Sequence, residues 1–171
     1  MNRKGKILVV DDNEDFLLAI KLLLKPYFET VHINKSPHQI PKKMAEEDFD
    51  VIMLDMNFSA GINRGNEGLY WMQQIFKIDP QAVIVLITAY AEVDLAVSAM
   101  QQGATSFLQK GANDDQVIST VLQAYEKRKD RKKIDLLTLK QQHLNERLQT
   151  PFFTGESPAM RKVLDVVNKV G

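Results

Sequence analysis

The chain has 171 residues, which is enough for one full domain and an additional segment. Its content of 44% hydrophobic and 26% charged residues excludes an intrinsically disordered protein. The 22 basic and 22 acidic residues exclude a net basic charge that would attract nucleic acid or membranes, and the absence of cysteine excludes disulfide bonds and thiolate chemistry.

The amino terminus leads quickly into a short apolar run that is too short for a signal peptide. No run in the sequence approaches the roughly 20 apolar residues of a membrane-spanning helix. We therefore expect a cytoplasmic protein with no membrane partner.

Short apolar segments rich in β-branched residues alternate with segments of helical spacing. The predicted strands are residues 6–10, 29–33, 50–54, 82–87 and 106–109. The predicted helices begin after a cap at Asn13 or Asp15, at Pro37, at Asn66, at Glu92 and at Asp115, and Gly103 ends the fourth. This alternation predicts a doubly wound α/β domain, in which five helices flank a five-stranded parallel sheet on both faces.

The fifth helix contains no glycine or proline from Asp115 to Gln149, which permits an extended C-terminal linker helix of about 35 residues. We predict that it pairs with a second copy, with a single solvated helix as the alternative. One apolar seam is interrupted by Gln141, and a second register competes with it. The first seam is Ile134, Leu137, Leu144 and Leu148; the second is Ile118, Leu122, Tyr125, Leu136 and Leu139. Pro151 is predicted to end the helix.

Polar residues follow four of the predicted strands at the point where each strand ends. Asp11 and Asp12 follow the first strand, Asp55 the third, Thr88 the fourth and Lys110 the fifth. Because parallel sheets bind ligands outside the carboxyl ends of their strands, we expect these residues to meet in one pocket. Each alone is typical of a helix cap, a strand end or a solvated surface, but the set together indicates a functional site.

The residue types in this pocket indicate phosphoryl chemistry. Three carboxylates repel one another unless a cation neutralises them, and Mg²⁺ is the hard, oxygen-binding ion that we predict. Asp55 ends the middle strand and is the predicted nucleophile, which forms an aspartyl phosphate. Thr88 and Lys110 supply a hydroxyl and a cation for the negative charge that develops.

The pattern resembles the receiver domain of bacterial two-component response regulators over residues 5–126. The resemblance implies a flavodoxin-like, CheY-like fold, with Asp55 as the phosphoacceptor and a phosphohistidine of a sensor histidine kinase as the donor. It also implies that Asp12 and Asp55 bind Mg²⁺, that Asp11 assists, and that the backbone carbonyl of Asn57 completes the protein's ligands.

The same resemblance implies a conformational switch. Thr88 and Lys110 would contact the phosphoryl oxygens, and Phe107 would be the aromatic residue that turns inward when Thr88 moves. The responsive face would consist of the fourth helix, the fifth strand and the fifth helix. A homodimer through this face or through the linker helix is therefore expected.

Two features depart from the family pattern. Gly111 follows Lys110 where the family usually has a cis proline, so we expect a trans peptide bond and a looser loop. Residues 56–66 form a longer loop than usual and lack the family's proline. We favour a tolerated surface insertion over a lid that alters phosphoryl lifetime or kinase choice.

Residues 153–161 resemble the start of the AAA+ ATPase domain of sigma-54-dependent activators of the NtrC class. No G-x-x-x-x-G-K-[ST] motif occurs in the sequence, so ATPase chemistry is not expected here. We expect a piece of a longer protein, with a receiver domain at 1–126, a linker helix at 127–149 and the edge of the ATPase domain at 150–171.

The expected output is transcriptional, through contact of the missing ATPase domain with sigma-54 RNA polymerase. The basic run at 127–133 is predicted to be solvated, and no direct DNA binding is expected. A stand-alone receiver acting through protein binding is one alternative. The other is an aspartate-nucleophile phosphohydrolase, which would place its nucleophile on the first strand with a second acid two positions later, where this chain has Asn13.

Overall fold

Strands and helices alternate along the chain in the predicted order. The computed structural model describes residues 4–58, 66–89 and 93–153. The elements are β1 Lys4–Val10, α1 Glu14–Leu24, β2 Phe28–Asn34, α2 Ile40–Glu46, β3 Val51–Asp55, α3 Asn66–Ile78, β4 Ile84–Thr88, α4 Val93–Gln101, β5 Ser106–Gln109 and α5 Asp114–Phe153. No described helix is long and apolar enough to cross a membrane.

The five strands form one parallel sheet in the order β2-β1-β3-β4-β5. This is the strand order of flavodoxin-like folds, and it confirms the predicted fold class. At the carboxyl edge Asp55 pairs with Ile87, and Thr88 pairs with Gln109. The register therefore aligns the strand ends on which the predicted site depends.

Apolar side chains alternate between the two faces of the sheet, as the pleat of a strand requires. On β1, Ile7 and Val9 join one buried cluster with residues of α1 and α5. Leu8 and Val10 join a second cluster with residues of α3 and α4. Because both faces are covered, β3 and β4 are buried along their whole length.

Helix ends follow the predicted signals. The Asn13 side chain accepts a hydrogen bond from the Phe16 N–H at 3.1 Å, so Asn13 rather than Asp15 caps α1. The Asn113 side chain accepts one from the Gln116 N–H at 2.8 Å, and α5 begins at Asp114. Gly103 follows α4 with φ of 114°, a conformation that favours glycine.

Two helix predictions were wrong in detail. The second helix does not run unbroken from Pro37, because Pro41 lacks the N–H that would bond to the carbonyl of residue 37. A 3₁₀ turn at Pro37–Gln39 therefore precedes α2. At the other end of the chain, α5 continues beyond Pro151 to Phe153. Proline removes one hydrogen bond and disfavours the helical conformation of the preceding residue, but it does not forbid a further turn.

The chain divides into two compact units, Met1–Asp130 and Arg131–Gly171. Within the first unit, Arg128 of α5 is 6% exposed. Its guanidinium donates to the Gln81 carbonyl at 2.7 Å and to Asp79 Oδ2 at 2.8 Å. These hydrogen bonds join α5 to the turn before β4. Arg128 lies two residues beyond the predicted domain boundary at 126.

Candidate functional site

Three carboxylates lie together at the carboxyl edge of the sheet. Asp11 follows β1 and is fully buried, and Asp55 ends β3 with 3% of its surface exposed. Asp12 is exposed. One oxygen of each carboxylate lies within 4.8 Å of the others. The first and middle strands therefore bring together acids that are 43 or more positions apart in the sequence.

The backbone after each strand holds the two buried carboxylates in place. Asp11 Oδ1 accepts a hydrogen bond from the Asn13 N–H at 2.8 Å, and Asp55 Oδ1 accepts one from the Asn57 N–H at 3.3 Å. Such turns are a common use of aspartate after a strand. In both residues the second oxygen, Oδ2, is left to face the pocket.

Lys110 is the cation of the site. Its Nζ atom lies 2.9 Å from Asp11 Oδ2 and 3.6 Å from Asp55 Oδ2. The ammonium also lies 5.1 Å from the centre of the Phe16 ring, a cation–π contact. Lys110 therefore pairs more closely with Asp11 than with the predicted nucleophile.

Thr88 is the last residue of β4 and is buried. Its backbone carbonyl accepts a hydrogen bond from the Lys110 N–H at 2.9 Å, so the two residues occupy adjacent strand ends. Ala89 follows and is exposed. A threonine and a lysine thus border the acidic cluster from β4 and β5.

Burial and charge shift the pKa values of the site. Burial, followed by the negative charge of Asp11, raises the pKa of Asp55 from 3.8 to about 7, against the opposing charge of Lys110. Burial also raises the pKa of Asp11, although its hydrogen bond from Asn13 and its contact with Lys110 oppose the shift. Burial alone would lower the pKa of Lys110, but its contact with Asp11 and the charge of Asp55 raise it overall.

The site has the donor set of a hard divalent cation. Asp55 Oδ2 is buried and has no hydrogen-bond partner, and Asp11 Oδ2 meets Lys110 as an ion pair outside hydrogen-bond geometry. Three carboxylates against one ammonium leave an excess of negative charge. Oxygen ligands with negative charge suit Mg²⁺, so Asp11, Asp12 and Asp55 fit this ion.

The structure thus brings the predicted strand-end residues to one edge of the sheet: Asp11, Asp12, Asp55, Thr88 and Lys110. Phe107 on β5 is 42% exposed, so its ring is not in the inward position of the proposed switch. The Asn57 N–H donates a hydrogen bond to Asp55. The role of the Asn57 carbonyl as a ligand of Mg²⁺ stays a prediction. The peptide bond between Lys110 and Gly111 is trans. Most of the predicted long loop and the ATPase-like tail lie outside the described residues.

Phe16 is a contact of the site that the sequence did not predict. Phe16 is an apolar residue of α1, and nothing in its spacing distinguishes it from core residues such as Leu17. Its ring reaches Lys110 only because α1 packs beside the end of β5. The local sequence contains no pattern that predicts the contact between Phe16 and Lys110.

At the base of the long loop, the chain returns to β3 at the start of α3. The Gly68 N–H donates to the Met56 carbonyl at 3.0 Å. A Cβ atom on residue 68 would lie 2.5 Å from Met56 Cα, so only glycine permits this approach. The two ends of the loop are therefore joined directly behind Asp55.

The chain is similar in sequence to one protein family and to several transcriptional regulators. A family model described as response regulator receiver domain matches residues 7–122. The transcriptional regulatory protein ZraR of Klebsiella oxytoca is 27% identical over 165 residues, covering 96% of this chain and 34% of that protein. The DNA-binding transcriptional regulator NtrC of Escherichia coli K12 is 26% identical over 170 residues, covering 98% of this chain and 33% of that protein. The chain spans about a third of the length of these curated relatives.

Solved structures show the same similarity. The N-terminal signal receiver domain of a two-component response regulator from Bacteroides fragilis has a TM-score of 0.65 and 38% identity, covering 71% of this chain and 97% of that one. NtrX from Brucella abortus has a TM-score of 0.70 and 21% identity, covering 98% of this chain and 34% of that one. The second comparison concerns the fold alone.

Proposed function

Because the chain belongs to the response regulator receiver domain family, we propose that Asp55 accepts a phosphoryl group from a phosphohistidine of a sensor histidine kinase. The observation that carries this proposal is the buried Asp55 Oδ2, which has no hydrogen-bond partner and lies beside two further carboxylates and an ammonium. Other buried carboxylate oxygens in a protein interior are normally satisfied.

The proposed transfer forms one bond and breaks another. Asp55 Oδ2 attacks the phosphorus atom, the bond between phosphorus and the histidine nitrogen breaks, and the imidazole leaves with the bonding electron pair. Mg²⁺, when bound by Asp12, Asp55 and the Asn57 carbonyl with help from Asp11, supplies charge neutralisation for the three phosphoryl oxygens. Lys110 and the Thr88 hydroxyl stabilise the same oxygens.

Lys110 has to change its partner during this reaction. In the structure, its Nζ atom lies 2.9 Å from Asp11 Oδ2 and 3.6 Å from Asp55 Oδ2. A phosphoryl group on Asp55 carries strongly charged acceptors, which attract the ammonium. We propose that Lys110 leaves Asp11 for the phosphoryl group, and that Thr88 moves toward it while Phe107 turns inward.

The stoichiometry of phosphorylation tests the proposed function. With Mg²⁺ and a small phosphodonor such as acetyl phosphate, we expect one phosphoryl group per chain, detected by intact mass spectrometry and sensitive to alkali. Chelation of Mg²⁺ should abolish the product. Sustained turnover of phosphate esters without a stable adduct would instead indicate the alternative, an aspartate-nucleophile phosphohydrolase.

We further propose that the phosphorylated domain controls a sigma-54-interacting AAA+ module in the full-length protein. The support is the similarity to NtrC and ZraR over almost the whole chain, together with the resemblance of residues 153–161 to the start of such a module. In this proposal the described chain makes no direct contact with DNA. A Walker A motif in the continuation of the gene beyond residue 171 would distinguish this protein from a stand-alone receiver.

The proposed homodimer uses the linker helix. Within the second unit, Ile134 and Leu137 are 62% and 55% exposed, and Leu144 is 57% exposed. Large apolar side chains repeated on one side of a solvated helix indicate a surface that associates with another chain. The face formed by α4, β5 and α5 is the other surface available for this dimer, with Phe107 on it.

We expect light scattering to give a mass of twice the 19.5 kDa of one chain, and Leu137→Lys to shift it toward the single-chain mass. A lysine at this position would place a charge inside the seam. Gln142→Lys is the matched control, because 3.6 residues per turn put this exposed residue about 140° around the helix from Leu137. A dimer that tolerates Leu137→Lys would assign the interface to the α4 and β5 face.

A further inference from the structure

The Lys110 ammonium contacts two carboxylates and one aromatic ring among the described residues. Its Nζ atom lies 2.9 Å from Asp11 Oδ2, 3.6 Å from Asp55 Oδ2 and 5.1 Å from the centre of the Phe16 ring. The lysine side chain is 24% exposed, and its four-carbon stem turns about several single bonds. The position of the ammonium therefore depends on the groups that hold it.

Asn13 fixes the backbone of Phe16 relative to Asp11. The Asn13 N–H donates to Asp11 Oδ1 at 2.8 Å, and the Asn13 side chain accepts a hydrogen bond from the Phe16 N–H at 3.1 Å. The Phe16 side chain packs against the buried cluster that includes Leu17. One residue thus fixes the backbone positions of two contacts of the ammonium, and the core holds the ring in place.

The ring is the contact of Lys110 that phosphorylation would not change. In the proposed reaction, Asp55 Oδ2 becomes bonded to phosphorus, and Asp11 loses the ammonium to the phosphoryl group. The Phe16 ring is uncharged and takes part in neither change. Its attraction for a cation reaches to about 6 Å and does not require the single direction of a hydrogen bond. The ammonium can therefore turn from one oxygen to the other without leaving the ring.

We propose that Phe16 is a positioning residue for Lys110, and that its ring holds the ammonium in the pocket while Lys110 passes from Asp11 to the phosphoryl group. This inference rests on the proposed phosphorylation of Asp55. It gives the ring an electrostatic role in addition to its packing in the core. The rate of phosphorylation should therefore depend on the electron density of the ring, and not only on its size.

The test replaces Phe16 in the full chain with 4-fluoro-, 3,5-difluoro- and 3,4,5-trifluorophenylalanine. Fluorine withdraws electron density from the face of the ring and weakens its attraction for a cation, with little change in shape. The measurement is the initial rate of phosphoryl transfer from acetyl phosphate with Mg²⁺, followed by intact mass spectrometry. We expect the rate to fall with each added fluorine, by about three- to tenfold for the trifluoro ring.

Two controls separate electrostatics from packing. The same fluorinated series at Phe28, a ring that is 1% exposed and lies 6.1 Å from the Tyr125 ring, should leave the rate unaltered. Phe16→Leu keeps the apolar bulk without the ring and should slow the reaction as the trifluoro ring does, whereas Phe16→Tyr should retain most of the parent rate. If Phe16→Leu is misfolded by circular dichroism, the fluorinated series decides.

A second measurement examines the contact without any phosphoryl transfer. The ¹H NMR signals of the Lys110 Cε methylene, assigned by their loss in Lys110→Arg, should be shifted by the ring current of Phe16. In folded Phe16→Leu they should move toward the ordinary lysine position.

The outcomes distinguish this inference from the proposed function. A parent chain that forms no acyl phosphate on Asp55 overturns the proposed function and this inference with it. A parent chain that is labelled, with equal rates across the fluorinated series at Phe16 or an equal fall in the series at Phe28, overturns this inference alone. Lys110 signals that do not move in folded Phe16→Leu also overturn it.

Discussion

Replacing Asp55 with asparagine is expected to abolish the acyl phosphate, with labelling reduced at least 1000-fold, to the background of the assay. The amide that replaces the carboxylate is nearly the same size, but its oxygen is a poor nucleophile. Intact mass spectrometry after incubation with Mg²⁺ and acetyl phosphate measures the loss. Asp48→Asn removes an exposed acid before β3 and should label like the parent chain.

The other two acids should not replace Asp55 as the nucleophile. Asp11 is held by Lys110 at 2.9 Å and by the Asn13 N–H, so an attack from it would have to break an ion pair. Asp12 is exposed and precedes the first turn of α1. Retention of one stoichiometric adduct in Asp55→Asn, mapped by peptide analysis to either acid, would show that the assignment of the nucleophile is wrong.

In the absence of divalent metal, the protein should become less stable as the pH rises from 5 to 8, by about 2 to 3 kcal/mol. The pKa of Asp55 is about 7 in the folded chain, and the ordinary value in the unfolded chain is 3.8. Between these values the unfolded state releases a proton that the folded state retains. The raised pKa of Asp11 acts in the same direction.

The sign of this effect distinguishes the site from an ordinary ion pair. A carboxylate with a lowered pKa would stabilise the fold as the pH rises, whereas this cluster destabilises it until Asp55 is fully ionised above pH 7. Urea unfolding in EDTA at pH 5 and pH 8 measures the difference. Asp55→Asn should be more stable than the parent chain at pH 8, and saturating Mg²⁺ should reverse most of the loss at pH 8 in the parent chain. A stability that rises with pH in EDTA would contradict the pKa assignment.

The fold and the location of the site could be predicted because they depend on patterns that repeat along the chain. β-Branched apolar runs mark the buried strands, and parallel strands bring their carboxyl ends to one edge, so the positions of Asp11, Asp55, Thr88 and Lys110 follow from the topology. The prediction needed no knowledge of any side-chain contact. The prediction therefore gives the strand ends that meet at one edge of the sheet. It says nothing about the distances between their side chains.

Contacts between side chains could not be predicted. Lys110 lies nearer to Asp11 than to Asp55 by less than 1 Å, a difference set by how two buried strands and α1 pack. The cation–π contact with Phe16 and the buried bonds of Arg128 depend on the same packing. The helix predicted from Pro37 is interrupted because Pro41 lacks the required N–H, and α5 continues beyond Pro151 because proline does not forbid a further turn.

The contact between Gly68 and Met56 joins the two ends of the segment that precedes α3, directly after Asp55. In the sequence, Met56 and Gly68 stand on either side of residues 57–67, and one backbone hydrogen bond joins them. Lengthening a flexible segment whose two ends are already joined costs little in chain entropy. We therefore expect an insertion in this stretch to leave the surroundings of Asp55 unchanged, whereas a side chain at position 68 would press on the backbone of Met56 and reach Asp55.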